Sequence, residues 1–282
     1  MVRPYNHRFI YPRRDVLFLL PGLLGFVLCY IAPFCLSLVS SFLDNSASAH
    51  FVGISNYIAV WQSSFYTLAV GNTLKFFLLA VGISLICGFL LANAIFWHKK
   101  SSILTLVLLI PIFLPTSAIV PLWKAMFGGS SWLAKTFKPR DADWKYITLL
   151  TLYLWKNVGA VNLLMLIGMQ AIEPAIFDAA LVDGASYRTI AWRISLPLLR
   201  PVIFFSFVDL SMNGMRVFRE SYLLYGMYPP QKLYFVQNYV NNHFTKLDYG
   251  LLSAGSTLFA LAMTLLFLTI FLLLRRREED TL

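Results

Sequence analysis

The chain alternates between long apolar runs and short polar segments, most of them basic. The apolar runs cover residues 16–42, 71–97, 103–127, 146–170, 202–222 and 251–274. Each holds roughly 20 residues or more, enough for a helix to cross a hydrocarbon core about 30 Å thick. The pattern predicts an all-α membrane protein of about six transmembrane helices. Prolines interrupt the runs, Pro21 and Pro33 in the first and Pro111, Pro115 and Pro121 in the third, and predict kinks there. The first run is about twice the 7–15 residues of a signal-peptide core, so it reads as a span.

The polar segments orient the runs. Arg3, Arg8, Arg13 and Arg14 precede the first, His98-Lys99-Lys100 follows the second, and Arg275-Arg276-Arg277 follows the sixth. Arg188, Arg193 and Arg200 lie between the fourth and fifth. Cytoplasmic loops carry the excess of lysine and arginine. The N-terminal segment 1–15, the loop 171–201 and the tail 275–282 are therefore expected on the cytoplasmic side of the membrane. Residues 44–70 carry no lysine or arginine, and Trp61, Phe65 and Tyr66 suit a membrane interface. Residues 224–250 are rich in aromatic and amide side chains. Both are expected outside. Residues 128–145 break the rule with Lys135, Lys138, Arg140 and Lys145. An even span count still needs them outside, and Asp141 and Asp143 dilute their charge.

Composition agrees. Of 282 residues, 59% are hydrophobic and 13% charged, with a formal net charge of +10; soluble domains carry about 25% charged residues. The positive charge flanks apolar runs, which speaks for a membrane and against nucleic acid. Cys29, Cys35 and Cys87 lie inside apolar runs, and the four histidines are scattered, so neither a disulfide framework nor a metal site is readable.

The loop 171–201 stands apart as a polar, basic island. Its core runs from Asp178-Ala179-Ala180 through Asp183-Gly184-Ala185 and Arg188 to Ile194, Leu196 and Pro197. A short helix is expected over 178–182, ended by Gly184, which reaches left-handed backbone angles at little cost. Ser186 is placed to cap a second short helix, and Pro197 and Pro201 mark its exit. These residues resemble the EAA loop of ABC importer permeases: an acidic residue, two alanines, a glycine six positions on, then Ile-x-Leu-Pro. Asp178 replaces the usual glutamate, and Ile172-Glu173-Pro174 replaces the usual Ile-Pro. Asn56-Tyr57 and the run from Phe218 to Leu224 look like the carbohydrate group of that family, which includes maltose, oligosaccharide and glycerol-phosphate importers.

The resemblance implies a bacterial-type cell membrane and a cytoplasmic coupling helix seated in a groove of a separate ATPase. The coupling residues it implies are Asp178, Ala179, Ala180, Asp183, Gly184, Ala185, Arg188, Leu196 and Pro197. Further partners would be a second, non-identical permease subunit, two copies of the ATPase, an extracytoplasmic solute-binding protein and a sugar-type solute. This chain would bind no cofactor; ATP and Mg would belong to the ATPase.

The fifth run holds Asp209, Asn213, Arg216 and Glu220, spaced four, three and four apart, with Arg219 close by. On one helix these share a face. A lone charge at mid-bilayer costs about 2.5–3.5 kcal/mol, so this face must line a bundle interior or a wet cavity. It is either an internal network, Asp209 or Glu220 paired with Arg216 or Arg219, or part of a solute path. On the second reading Asn213 and Arg216 touch solute, and Phe218, Tyr222 and Tyr225 stack on a ring. In the fourth run Lys156 is expected to snorkel to the interface, Asn157 is an unusual guest, and Asn162 is expected to bond across to another helix.

No phosphate loop is present: Gly129 to Lys135 lacks the second glycine and the spacing. No metalloprotease or serine-hydrolase motif is readable, and no catalytic residue is assigned. Two functions remain. One is the permease subunit of an ATP-driven importer working by alternating access; the other is a stand-alone ion-coupled transporter or channel.

Overall fold

Two helices form the axis of the fold, Ser64–Trp97 and Asp141–Gln170. They pack along each other and carry the largest buried shares of the spans. Small residues bring them together: a Cβ on Gly88 would run into the Val161 side chain. On the other side of the fourth span, a Cβ on Gly159 would strike the Leu108 carbonyl, with Leu108 C at 2.6 Å. The computed structural model describes residues 15–46, 48, 50–98, 102–129, 131–137 and 141–279. The basic residues expected at Arg3, Arg8, Arg13, Arg14, Lys99, Lys100, Lys138 and Arg140 lie outside these.

The described residues are almost wholly helical. Among the described residues four helices are long and apolar enough to cross a membrane: Phe18–Ser40, Ser64–Trp97, Asp141–Gln170 and Tyr249–Leu272. Two bent pairs, Ile103–Phe113 with Thr116–Phe127 and Tyr187–Leu198 with Arg200–Tyr225, bring the number up to six when each pair counts as one span. The helices outrun the apolar segments that announced them. The second starts at Ser64, because Ser63 Oγ accepts from the Tyr66 amide at 3.4 Å and caps it there.

The third span is not a straight rod. Its halves meet at 105°. Pro115 has an extended ψ of 141° and cannot donate a backbone hydrogen bond, and a proline also drives the residue before it out of helix. Beyond the break, Trp123 is buried against Phe127 and Trp155.

In the first span the strain takes another form. Val27–Ile31 is a π turn two residues ahead of Pro33. A proline ring clashes with the carbonyl four residues back, and widening that turn relieves it. The same device recurs at Ala191–Ser195 ahead of Pro197.

The first and sixth spans are peripheral. The first buries none of its residues and touches the sixth, where Ser37 Oγ donates to Ser253 Oγ at 3.3 Å. Asn56 bolts their ends together. Its Nδ2 donates to the Ser41 and Leu43 carbonyls at 3.0 and 2.8 Å, and Gly250 leaves it the room.

Contacts also sort the connecting segments into two ends. Lys232 pairs with Asp143, Tyr225 Oη donates to the Lys145 carbonyl at 2.9 Å, and Asn72 Nδ2 donates to the Tyr234 carbonyl at 3.1 Å. The basic segment 128–145 therefore lies at the same end as residues 224–250. Its lysine charge is partly matched there, since Lys145 also pairs with Asp141 at 2.7 Å.

Candidate functional site

The loop between the fourth and fifth spans is built as two short helices joined at a glycine. The first is Pro174–Val182, longer than the 178–182 expected, because Pro174 occupies the first turn, where a missing N–H costs nothing. It ends in a Schellman motif. The Ala185 amide donates to the Ala180 carbonyl at 2.9 Å, the Gly184 amide donates to the Leu181 carbonyl at 3.0 Å, and Gly184 has a φ of +76°. Ser186 Oγ accepts from the Thr189 amide at 3.2 Å and starts the second helix.

Aromatic contacts seat this loop on the end of the second span. Phe177 is buried against Phe96 and Trp97 at 5.3 and 5.7 Å, and Tyr187 lies on Trp97 at 4.7 Å. The outward side is open: Asp178, Ala179, Asp183, Gly184 and Arg188 are exposed, and Val182 is 87% exposed. Ala180, Ala185, Leu196 and Pro197 are half-buried. Leu199, 1% exposed, locks the exit against Gly168 of the fourth span, and the chain turns by 74° into Arg200–Tyr225.

The second feature is a polar cavity of about 360 Å³ between the third, fourth and fifth spans. Asp209, Asn213, Arg216, Arg219 and Glu220 all line it, together with Tyr153, Lys156 and Asn157 of the fourth span. The expected face is thus assembled, but not on one helix. The helix from Arg200 stops at Met215, Arg216 and Val217 form a turn, and a new helix runs Phe218–Tyr225.

The expected ion pairs within the fifth span do not form. Glu220, 6% exposed, pairs instead with Lys156, whose Nζ lies 2.6 Å from its Oε1. Thr116 Oγ1 donates to the same oxygen at 3.2 Å and accepts from Lys156 Nζ at 3.1 Å. Asp209 Oδ2 accepts from Asn213 Nδ2 at 3.4 Å. Lys156 therefore does not reach for the interface: an internal carboxylate is a better partner for a desolvated ammonium than a long climb to water. Thr116 and Tyr153 carried no sequence signal, being ordinary residues in apolar runs.

Other expectations divide. Asn162 is fully buried, and its side-chain atoms make no hydrogen bond among the described residues, so it does not bond across to another helix. Phe218 lines a neighbouring groove rather than the cavity. Tyr222 is 43% exposed with its ring on Phe218 at 5.6 Å, and lines neither the cavity nor the groove. Tyr225 is engaged with the Lys145 backbone.

No family model matches the chain. It is 30% identical over 229 residues to the arabinooligosaccharides transport system permease protein AraP of Bacillus subtilis, covering 74% of this chain and 71% of that protein. The chain belongs to the permeases of ABC sugar importers. The permease is also 28% identical over 241 residues to the trehalose/maltose transport system permease protein MalF of Thermococcus litoralis, covering 82% of this chain and 81% of that one. Its fold matches a chain of a bacterial ABC transporter involved in the import of the acidic polysaccharide alginate. The TM-score is 0.80 at 21% identity, covering 93% of the permease and 96% of that chain. A second structure of an alginate ABC transporter, in complex with an alginate pentasaccharide-bound periplasmic protein, matches at TM-score 0.77 and 20% identity, over 91% and 93% of the two chains.

Proposed function

We propose that the permease carries a sugar-type solute through the cavity at the fifth span, driven by a separate ATPase that grips the loop 171–201. One observation carries this reading: the loop and the cavity are parts of one continuous path of chain. The helix after Gly184 turns at Leu199 directly into the span that bears Asp209 and Asn213. Movement imposed on the exposed loop reaches the cavity through a single elbow, and alternating access follows when the elbow tilts the span.

On this reading the loop faces the cytoplasm, and so do both chain ends. The opposite end, with residues 44–63 and 224–250, receives solute from an external binding protein. A dimeric ATPase needs a second loop, so a second, non-identical permease subunit completes the pair. ATP and Mg sit on the ATPase, and this chain performs no hydrolysis. Asp178, Ala179, Ala180, Asp183, Gly184, Ala185 and Arg188 form the grip, and Leu196 and Pro197 pass it to the elbow. Asp209, Asn213, Arg216, Arg219 and Glu220 line the path.

The experiment is co-purification and uptake in the assembled importer. Ala180→Trp with Gly184→Val should abolish ATPase co-purification. Asn213→Ala should lower uptake while the ATPase stays bound. Ion-gradient-driven transport by the purified chain alone would overturn the proposal in favour of a stand-alone transporter.

A further inference from the structure

The cavity shares a wall with a more open groove of about 540 Å³. The groove is lined by Phe218 and Phe244, by the amides Gln237 and Asn241, and by Arg216 and Arg219. The same two arginines line the cavity. They form the wall that the two spaces share.

The charges in the cavity do not balance. Lys156, Arg216 and Arg219 face Asp209 and Glu220, three cations against two carboxylates. Both carboxylates are engaged: Glu220 holds Lys156 and Thr116, and Asp209 holds Asn213. Among the described residues neither guanidinium has a hydrogen-bond or ion-pair partner, and both residues are exposed. An arginine presents a planar fork of donors that fits a carboxylate, sulfonate or phosphate two bonds at a time. Beside it, Phe218 and Phe244 with Gln237 and Asn241 offer the apolar face and planar amides that suit a sugar ring.

We propose that the solute is an anionic sugar derivative, whose carboxylate, sulfonate or phosphate is received by Arg216 and Arg219 as it passes from the groove into the cavity. This rests on the reading that the cavity lies on the solute path. Ring and charge are recognised by different walls: the ring by the groove, the charge by the arginines at its inner edge.

The test uses the assembled importer in liposomes, with ATP inside and the binding protein outside. The probes are matched pairs differing in charge: sulfoquinovosyl glycerol against glucosyl glycerol, glucose 6-phosphate against glucose, and a mannuronate trisaccharide against mannotriose. At least one charged probe should enter about tenfold faster than its neutral twin. Arg216→Gln with Arg219→Gln should cut that uptake by about tenfold or more, and Arg216→Lys with Arg219→Lys should cut it less. Equal entry of the neutral twins, no entry of any charged probe, or charged uptake untouched by the glutamine pair would each overturn the proposal. So would failure of the glutamine pair to assemble with the ATPase, which would make the arginines structural. Entry of solute without ATP, or a wild-type chain that binds no ATPase, sinks the broader importer reading instead.

Discussion

Lys156 Nζ lies 2.6 Å from Glu220 Oε1 and so joins the fourth span to the second helix of the fifth, Phe218–Tyr225. Thr116, bonded to both, adds the half of the third span that follows its break. One cation thus pins two bent spans to a straight one. Removing one partner of a buried pair leaves the other uncompensated, at a cost of about 3–5 kcal/mol, whereas replacing both with apolar groups is often nearly neutral. Lys156→Met or Glu220→Leu alone should lower the detergent melting temperature by several degrees, and the double variant should recover most of the loss. Since the Lys156 side chain is 20% exposed, the smaller cost is expected. A double-mutant cycle measures the coupling; strictly additive losses would show that the pair is not a unit.

Gly184 holds its φ of +76° in open space, since a Cβ there would touch nothing within 4 Å. The cost of a side chain is then one of backbone conformation, about 1–2 kcal/mol for a β-carbon in the left-handed region. Asparagine tolerates that region better than valine. Gly184→Val should weaken ATPase co-purification clearly and Gly184→Asn only slightly. Equal loss in both would point to a contact with the partner rather than to the turn.

Gly159 and Gly82 make a contrasting pair inside the membrane. A Cβ at 159 collides with the Leu108 backbone, while one at 82 meets nothing within 4 Å. Overpacking of this kind costs about 1–3 kcal/mol, and backbone cannot swing aside. Gly159→Ala should lower the melting temperature, and Gly82→Ala should leave it unchanged or raise it, because alanine is the better helix former. Melting curves with the two in the reverse order would contradict the close approach of the third and fourth spans.

Trp97 touches both halves of the loop, packing against Phe177 and against Tyr187. Trp97→Ala removes most of that seat, leaving Phe96 under Phe177, without touching the exposed face. ATP hydrolysis stimulated by the binding protein should then continue while uptake falls several-fold. Uptake and hydrolysis falling in proportion would mean that the seat does not transmit force.

Much of this was legible in the sequence, for physical reasons. Apolar runs report membrane crossing directly, because the bilayer tolerates little else, and the glycine turn of the loop follows from the angle that only glycine adopts cheaply. The Lys156–Glu220 pair was hidden because its members lie on separate helices 64 residues apart, and periodicity speaks only of neighbours on one helix. The break at Arg216 and Val217 was hidden too, having no proline to announce it. The spacing of Asp209, Asn213, Arg216 and Glu220 still gathered the right residues, since the turn keeps the second helix facing the same cavity.

The elbow at Leu199 sets a gear ratio. The rod beyond it, Arg200–Met215, is 16 residues, roughly 24 Å at about 1.5 Å per residue. A tilt of about 5° at its base moves its tip by roughly 2 Å over that length. That stroke is comparable to the bond lengths holding the cavity's polar contacts, so a nudge too small to unfold anything at the base is large enough to remake them at the tip.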